Sequence, residues 1–280
     1  MTWRNYVSMM RPLNSFMTGL AVIFSLFVFY RGFPQPIIIL IGFITGFMGS
    51  AASMLINDYV DRKVDSINKP WKPIPSGKAD PVKTKYLSLI TLVTGIVINV
   101  FLGIGPLVIA FIYSTVGYFY SFLRRYWWSH CIVAFSTTGP IIYGFVLAGM
   151  PGDKLLFALL FSATIFFVTL GREILKAIMD IEGDRRYGYV TLPIRFGVDA
   201  ARRAMLLIGS VGSAIGVSTG LLGFAGPGYL LFMSIAAVLY MYALIRAYRM
   251  TGSIGVLEKS RRQSIIAMLI GLIAFFASIF

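Results

Sequence analysis

The chain has 280 residues, 58% of them hydrophobic and only 13% charged. A soluble domain carries about 25% charged residues, so the composition excludes an ordinary soluble enzyme and indicates an integral membrane protein. A single cysteine, Cys131, and a single histidine, His130, exclude an internal disulfide and a metal centre built on clustered cysteines or histidines. The net charge of +14 is not read as a nucleic-acid footprint. The basic residues lie between apolar runs, where the positive-inside rule accounts for them.

At ~20 apolar residues per span, nine spans are expected, at 13–30, 36–56, 86–104, 106–123, 131–149, 155–179, 204–223, 227–247 and 264–280. The expectation is an all-α polytopic bundle with a central cavity, forming one intramembrane domain over residues 1–280. No small-residue cleavage site follows the first apolar run, which is expected to be retained. Short connections near Gly105 and Gly226-Pro227 suggest tight hairpins on one side. All 25 Lys and Arg residues except Arg31 and Lys154 fall on the side holding the N-terminus. That side is expected to be cytoplasmic. It also holds all eleven acidic residues except Asp153. Acids are not needed for topology, so their gathering points to chemistry.

The first acidic group follows the second span: Asn57-Asp58-Tyr59-Val60-Asp61-Arg62-Lys63-Val64-Asp65. On a helix, Asn57, Asp58, Asp61 and Asp65 share one face. Each carboxylate would cost roughly 2.5–3.5 kcal/mol at a bilayer centre, and together they repel. A positive partner is required, and an oxygen-only donor set without His or Cys suits Mg²⁺. The next stretch, Ser66–Lys78, contains three prolines and a glycine, which stop the helix. It is either a rigid loop with flanking lysines or a lid whose Lys72 and Lys78 face a phosphate. Its position directly after the acidic face favours the lid.

Tyr120 stands one turn before Arg124, at the end of the fourth span. His130 and Cys131 start the fifth, where ordinary packing is expected. After the sixth span Arg172, Lys176, Asp180 and Asp184 recur every four residues, which on one helix makes them consecutive rungs. Glu173 is placed to pair with Lys176, and Glu182 lies off the stripe. Such spacing also occurs at solvated helix ends. Beside a first acidic face, a second functional cluster is the better reading. Both clusters end an even-numbered span, which hints at internal duplication. Facing each other, they would hold Mg²⁺ and clamp a pyrophosphate as it leaves. Lys72, Arg124, Arg172 and Lys176 are candidates for the same oxygens. A pyrophosphate at an apolar cavity makes most sense when its other end is a hydrocarbon. The basic run Lys259-Ser260-Arg261-Arg262 reads as an anchor to lipid headgroups.

Asn57-Asp58-x-x-Asp61-x-x-x-Asp65 resembles the first aspartate motif of the UbiA superfamily of intramembrane prenyltransferases, and Asp180-x-x-x-Asp184 resembles the second. Tyr120-x-x-x-Arg124 is similar to the tyrosine-and-base motif after the fourth span, where lysine is the common base. Lys72 precedes Pro-Ile-Pro-Ser-Gly where many members carry arginine. Both swaps keep charge and change fork geometry. The resemblance implies that Asp58, Asp61, Asp65, Asp180 and Asp184 hold Mg²⁺, which binds a prenyl diphosphate. Its C–O bond then ionises, and an acceptor captures the allylic cation. Tyr120 is implied beside that cation, since aromatic faces stabilise positive charge.

The stretches Arg11-Pro12-Leu13-Asn14, Gly171–Lys176 and Asp180–Asp184 running on to Thr191-Leu192-Pro193 resemble the archaeal digeranylgeranylglyceryl phosphate synthase branch. That branch implies transfer of a geranylgeranyl group to the hydroxyl of geranylgeranylglyceryl phosphate, in ether-lipid synthesis. Arg11 or Lys72 is then implied at the acceptor phosphate. Asn14 either hydrogen-bonds the acceptor or packs between helices. Two other readings stay open. One is the same chemistry on an aromatic acceptor in quinone synthesis. The other is an ion or organic-anion transporter, against which stand the helix-end position of the acids and the lack of a polar path to the far side.

Overall fold

The computed structural model describes residues 2–250 and 252–280. A short helix α1 (Trp3–Met9) precedes α2 (Pro12–Phe29) and α3 (Pro36–Val60). Then come the short α4 (Arg62–Asn68), α5 (Pro81–Val97) and α6 (Ile104–Leu123). A broken pair, α7 (Ser129–Ser136) and α8 (Gly139–Leu147), leads to α9 (Leu155–Met179) and the short α10 (Ile181–Arg186) and α11 (Leu192–Phe196). The chain ends with α12 (Val198–Leu221), α13 (Pro227–Arg249) and α14 (Ile254–Ala277). Among the described residues nine segments are long and apolar enough to cross a membrane. The protein is a multi-pass, all-helical membrane protein.

Proline fixes where several of these helices start. Pro12, Pro36, Pro81 and Pro227 each occupy the first turn, where a missing N–H costs nothing. Asp80 caps α5 by accepting from the Lys83 amide at 2.8 Å. That cap sets the third span five residues earlier than its expected start at 86.

Three other expectations need correction. The fifth span is not one helix. Thr137 and Thr138 bond back to the carbonyls of Ala134 and Phe135, at 2.8 Å each, and Pro140 has no amide to continue the ladder. The seventh span starts at Val198 rather than 204. The ninth begins at Ile254 rather than 264, because Arg261 and Arg262 both pair with Glu258, at 2.6 and 3.0 Å, one helical turn away. The basic run Lys259–Arg262 therefore lies inside the helix instead of preceding it.

The helices close a ring. Helix α2 packs on α3, α3 on α6, α6 on α7 and α8, α7 on α9, α9 on α14, and α14 back on α2. Helix α12 covers α9 from outside, where a side chain at Gly212 would meet the Val168 amide at 2.9 Å. The ring encloses a cavity of about 520 Å³. One end is closed by Phe29, Phe145, Phe157, Phe161, Tyr229 and Phe275, with Phe161 and Phe275 stacked at 4.2 Å.

Candidate active site

The site is built on two helix breaks that resemble each other. Helix α3 ends at Asp61 and α9 at Asp180; both residues sit near ψ 0. Backbone bonding nonetheless carries on across each joint. The Asp61 amide donates to Asn57 and the Asp65 amide to Asp61, at 2.9 and 2.7 Å. The Asp180 amide donates to Lys176 and the Asp184 amide to Asp180, at 3.0 and 3.1 Å. The expected single faces are thus bent at their middle carboxylates. The bend brings α4 against α10. The Gly183 amide donates to Asn68 Oδ1 at 3.1 Å, and a side chain at position 183 would collide with Asn68.

Five carboxylates gather at this junction, held by bases. Lys72 Nζ donates to Asp58 Oδ1 at 2.8 Å and to Asp65 Oδ2 at 2.6 Å. Arg11 adds a 3.3 Å bond to the same Asp58 oxygen. Arg124 donates to Asp61 Oδ2, reaches Asp180 Oδ2 at 3.4 Å and stands 3.7 Å from Asp184 Oδ1. Lys69 closes the set on Asp180 at 3.0 and 3.2 Å. Arg124 therefore joins the two motifs. Asp58, Asp61, Asp65 and Asp184 are almost completely buried.

Burial raises the Asp61 carboxyl above the usual carboxylate range; Arg124 opposes the shift and Asp65 adds to it. Burial also pushes Asp184 up to about 7, with Asp180 and Asp61 reinforcing it against Arg124. Burial alone would lower Arg124, yet Asp61 and the other anions hold it well above its ordinary value.

The donors suit Mg²⁺. All are hard oxygens, and three of them, Asn57 Oδ1, Asp61 Oδ1 and Asp184 Oδ1, are buried without a hydrogen-bond partner. Among the described residues no three acidic, histidine or cysteine side chains converge closely enough to form a ready-made ligand set. The bases stand between them.

Two expected placements are revised. Lys72 and Arg124, expected at phosphate oxygens, pair with carboxylates here and share the balance of the buried acids with Arg11 and Lys69. Arg172 and Lys176 do not continue the Asp180–Asp184 stripe, because α9 ends there. They face the cavity instead, both paired with the buried Glu173, at 3.2 and 2.7 Å. The Glu173–Lys176 pair itself is as expected.

Arg11, Asn14, Asn57 and Tyr120 line the cavity as well. Arg11 adopts a left-handed backbone, φ 47°, at the start of α2, a costly conformation for a side chain of its size. Lys78 is exposed on the loop.

Four residues were not singled out from sequence. Lys69 sits four residues after Asp65, a spacing that suggests a local pair, but its backbone leaves the helix and swings it to Asp180. Asn68 is read only through Gly183. Tyr189 lies beside the acids, its hydroxyl pushed up to about 12 by burial and then by Asp61. Arg261 lines the cavity from α14; its place inside the ninth span was the missing signal.

The mouth of the cavity is lined by a basic wall of Arg11, Arg172, Lys176 and Arg261, with Glu173 among them. The carboxylate junction stands beside it as a second charged wall, at the ends of α3 and α9, next to the cavity-lining Asn57 and bonded by Arg11. Fold and mouth together define an intramembrane enzyme. The chain belongs to the UbiA prenyltransferase family, whose model matches residues 17–254, and it is a prenyltransferase.

A digeranylgeranylglyceryl phosphate synthase of Pyrococcus furiosus is 32% identical over 202 residues, 69% of each chain. A solved structure reported as digeranylgeranylglyceryl phosphate synthase in membranes is 25% identical. It covers 99% of this chain and 98% of its own, with a TM-score of 0.76. A UbiA homologue from Archaeoglobus fulgidus, solved with GPP and Mg²⁺, shares the fold at 15% identity with a TM-score of 0.73, covering 97% of this chain and 99% of its own.

Proposed function

We propose that the protein transfers a geranylgeranyl group from its diphosphate to the hydroxyl of geranylgeranylglyceryl phosphate, in archaeal ether-lipid synthesis, within one domain spanning residues 1–280. The observation that carries this reading is the pair of charged walls over one apolar cavity. The basic wall suits one anionic head directly, the carboxylate wall suits the other once Mg²⁺ is bound there, and the cavity suits the hydrocarbon tails. The Pyrococcus relative's name and the GPP and Mg²⁺ held by the Archaeoglobus neighbour support the acceptor and donor assignments.

In this reading Asp58, Asp61, Asp65, Asp180 and Asp184 hold Mg²⁺, with Asn57 beside them. Bound there, the ion supplies positive charge to the departing diphosphate. Lys72 and Arg124, now satisfied by carboxylates, turn to the diphosphate oxygens. The C–O bond breaks with its electron pair on the diphosphate, and the ring of Tyr120 faces the allylic cation. Arg172, Lys176, Arg261 and Arg11 hold the acceptor phosphate, so that its hydroxyl oxygen forms the new ether bond and passes its proton to the departing diphosphate. Asn14 lies at the same mouth. The ring of apolar helices excludes water that would otherwise capture the cation.

The distribution of basic residues supports a cytoplasmic mouth and N-terminus. Labelling of a Ser76→Cys variant only from the outside would overturn that orientation. The reaction is tested by offering radiolabelled geranylgeranyl diphosphate with either geranylgeranylglyceryl phosphate or a hydroxybenzoate, followed by product chromatography. Labelled diether phosphate is expected. A labelled aromatic product alone would contradict the lipid assignment.

A further inference from the structure

One polar cluster inside the bundle belongs to neither charged wall. Asn99 is fully buried where α5 tightens into a 3-10 turn, Ile98–Leu102. Its amide nitrogen donates to Thr45 Oγ1 at 3.0 Å and to the carbonyls of Gly95 and Ile96 at 2.9 and 3.2 Å. Its amide oxygen accepts from the Tyr143 hydroxyl. A buried amide is stable in hydrocarbon only when its donors and acceptor are all used, and here they are. The Tyr143 ring is therefore fixed in one orientation. Thr45 and Tyr143 both line the central cavity.

The cluster sits at the deep end of one particular groove. On α3, Thr45 lies about 18 Å of helix below Asn57, and on α6, Ala110 lies about 15 Å below Tyr120. Between these levels the two helices present small residues to the cavity, among them Gly49, Ser53, Ser114 and Gly117. They approach closely there: a side chain at Gly49 would meet Ser114 Oγ at 2.9 Å. The groove thus starts at Asn57 and Tyr120, beside the carboxylate junction, and runs along narrow, small-residue walls to Tyr143. The basic wall heads a different lining, from Arg172 and Arg261 down α9 and α14 to Phe161 and Leu272. Two linings thus descend through one cavity.

Resting on the donor half of the proposed function, we infer that Tyr143, clamped by Asn99 and Thr45, is the stop that sets the length of the donor's prenyl tail. Its ring packs in one apolar cluster with Leu26 and Leu147, which do not line the cavity. Removing the ring opens the groove toward that cluster and admits further isoprene units. Adding bulk above it, at Ala110, shortens the groove. If the trio only ties α3, α5 and α8 together, its loss lowers stability and leaves tail preference unchanged.

The test is competition binding with Mg²⁺ and no acceptor. Farnesyl, geranylgeranyl and geranylfarnesyl diphosphates each displace labelled geranylgeranyl diphosphate from the purified protein. Tyr143→Ala is expected to raise the affinity for geranylfarnesyl relative to geranylgeranyl diphosphate by on the order of tenfold. Ala110→Leu is expected to shift preference toward farnesyl diphosphate to a similar degree, and carries the test alone if Tyr143→Ala does not fold. Unchanged ratios in folded variants would overturn the stop while leaving the donor assignment intact. Failure of the unmutated protein to bind any of the three would overturn both.

Discussion

The two helix breaks have the same backbone and different surroundings. At the first break Asp58 and Asp65 are met by bases from nearby elements, Lys72 from the following loop and Arg11 from the start of α2, while Asp61 itself is met by Arg124. At Asp180 the acids are met by bases from far along the chain, Lys69 and Arg124. The first motif is held mostly by neighbouring elements, with Arg124 as its one distant base, and the second is held only by distant ones. One carboxylate oxygen on each side, Asp61 Oδ1 and Asp184 Oδ1, is left without a hydrogen-bond partner. These oxygens show where the junction can accept a further cation, and Arg124 stands between the motifs that carry them.

The comparison breaks most sharply at those two residues. Asp61→Ala and Asp184→Ala are each expected to lower turnover by a factor of about 10³ or more. Equal activity of either variant in a radiolabelled transfer assay would remove its motif from the mechanism. A smaller effect separates the carboxylate junction from the basic wall. Arg261→Gln deletes one charge-assisted contact, expected to raise KM for a phosphorylated acceptor by roughly ten- to a hundredfold. KM for the donor should stay unchanged, and Glu258 keeps Arg262 as its partner.

Gly183→Ala sharpens the tertiary side. The added methyl group falls on Asn68 and must push α10 from α4, costing about 1–3 kcal/mol. It should lower Tm and weaken Mg²⁺ binding together; a lowered Tm with unchanged metal affinity would detach the helix contact from the site.

The smallest effect concerns pH. Asp184, raised to about 7, binds its proton more tightly folded than unfolded. Its contribution to the metal-free protein is thus present at low pH and lost as pH rises toward and through that value. Mg²⁺ needs the ionised form, so its affinity should climb between about pH 6 and 8 with proton release. Calorimetry on Asp184→Asn should show that slope flattened.

The first motif was legible because its four polar groups fall within two turns, directly after an apolar run. The nine spans were legible from length and apolarity. The helix breaks at Asp61 and Asp180 were not, since local spacing favours an unbroken face; the docking of Asn68 on Gly183 belongs to the folded bundle. Lys69 was not assigned to the site, since its contact with Asp180 depends on the loop turning out of α4. Arg261 was hidden by its charge, which made residues 254–263 look like a connection. Lys72 and Arg124 carry the charge a phosphate site needs. The same charge seats them on buried carboxylates before any phosphate arrives.

The most direct test of the joined site is a crystal structure with Mn²⁺ and a non-hydrolysable geranylgeranyl diphosphate analogue, with the metal located by anomalous scattering. Metal coordinated by oxygens of both aspartate motifs, with Arg124 moved from Asp61 onto the diphosphate, is the predicted result. Metal held by one motif alone, or found away from both, would contradict it.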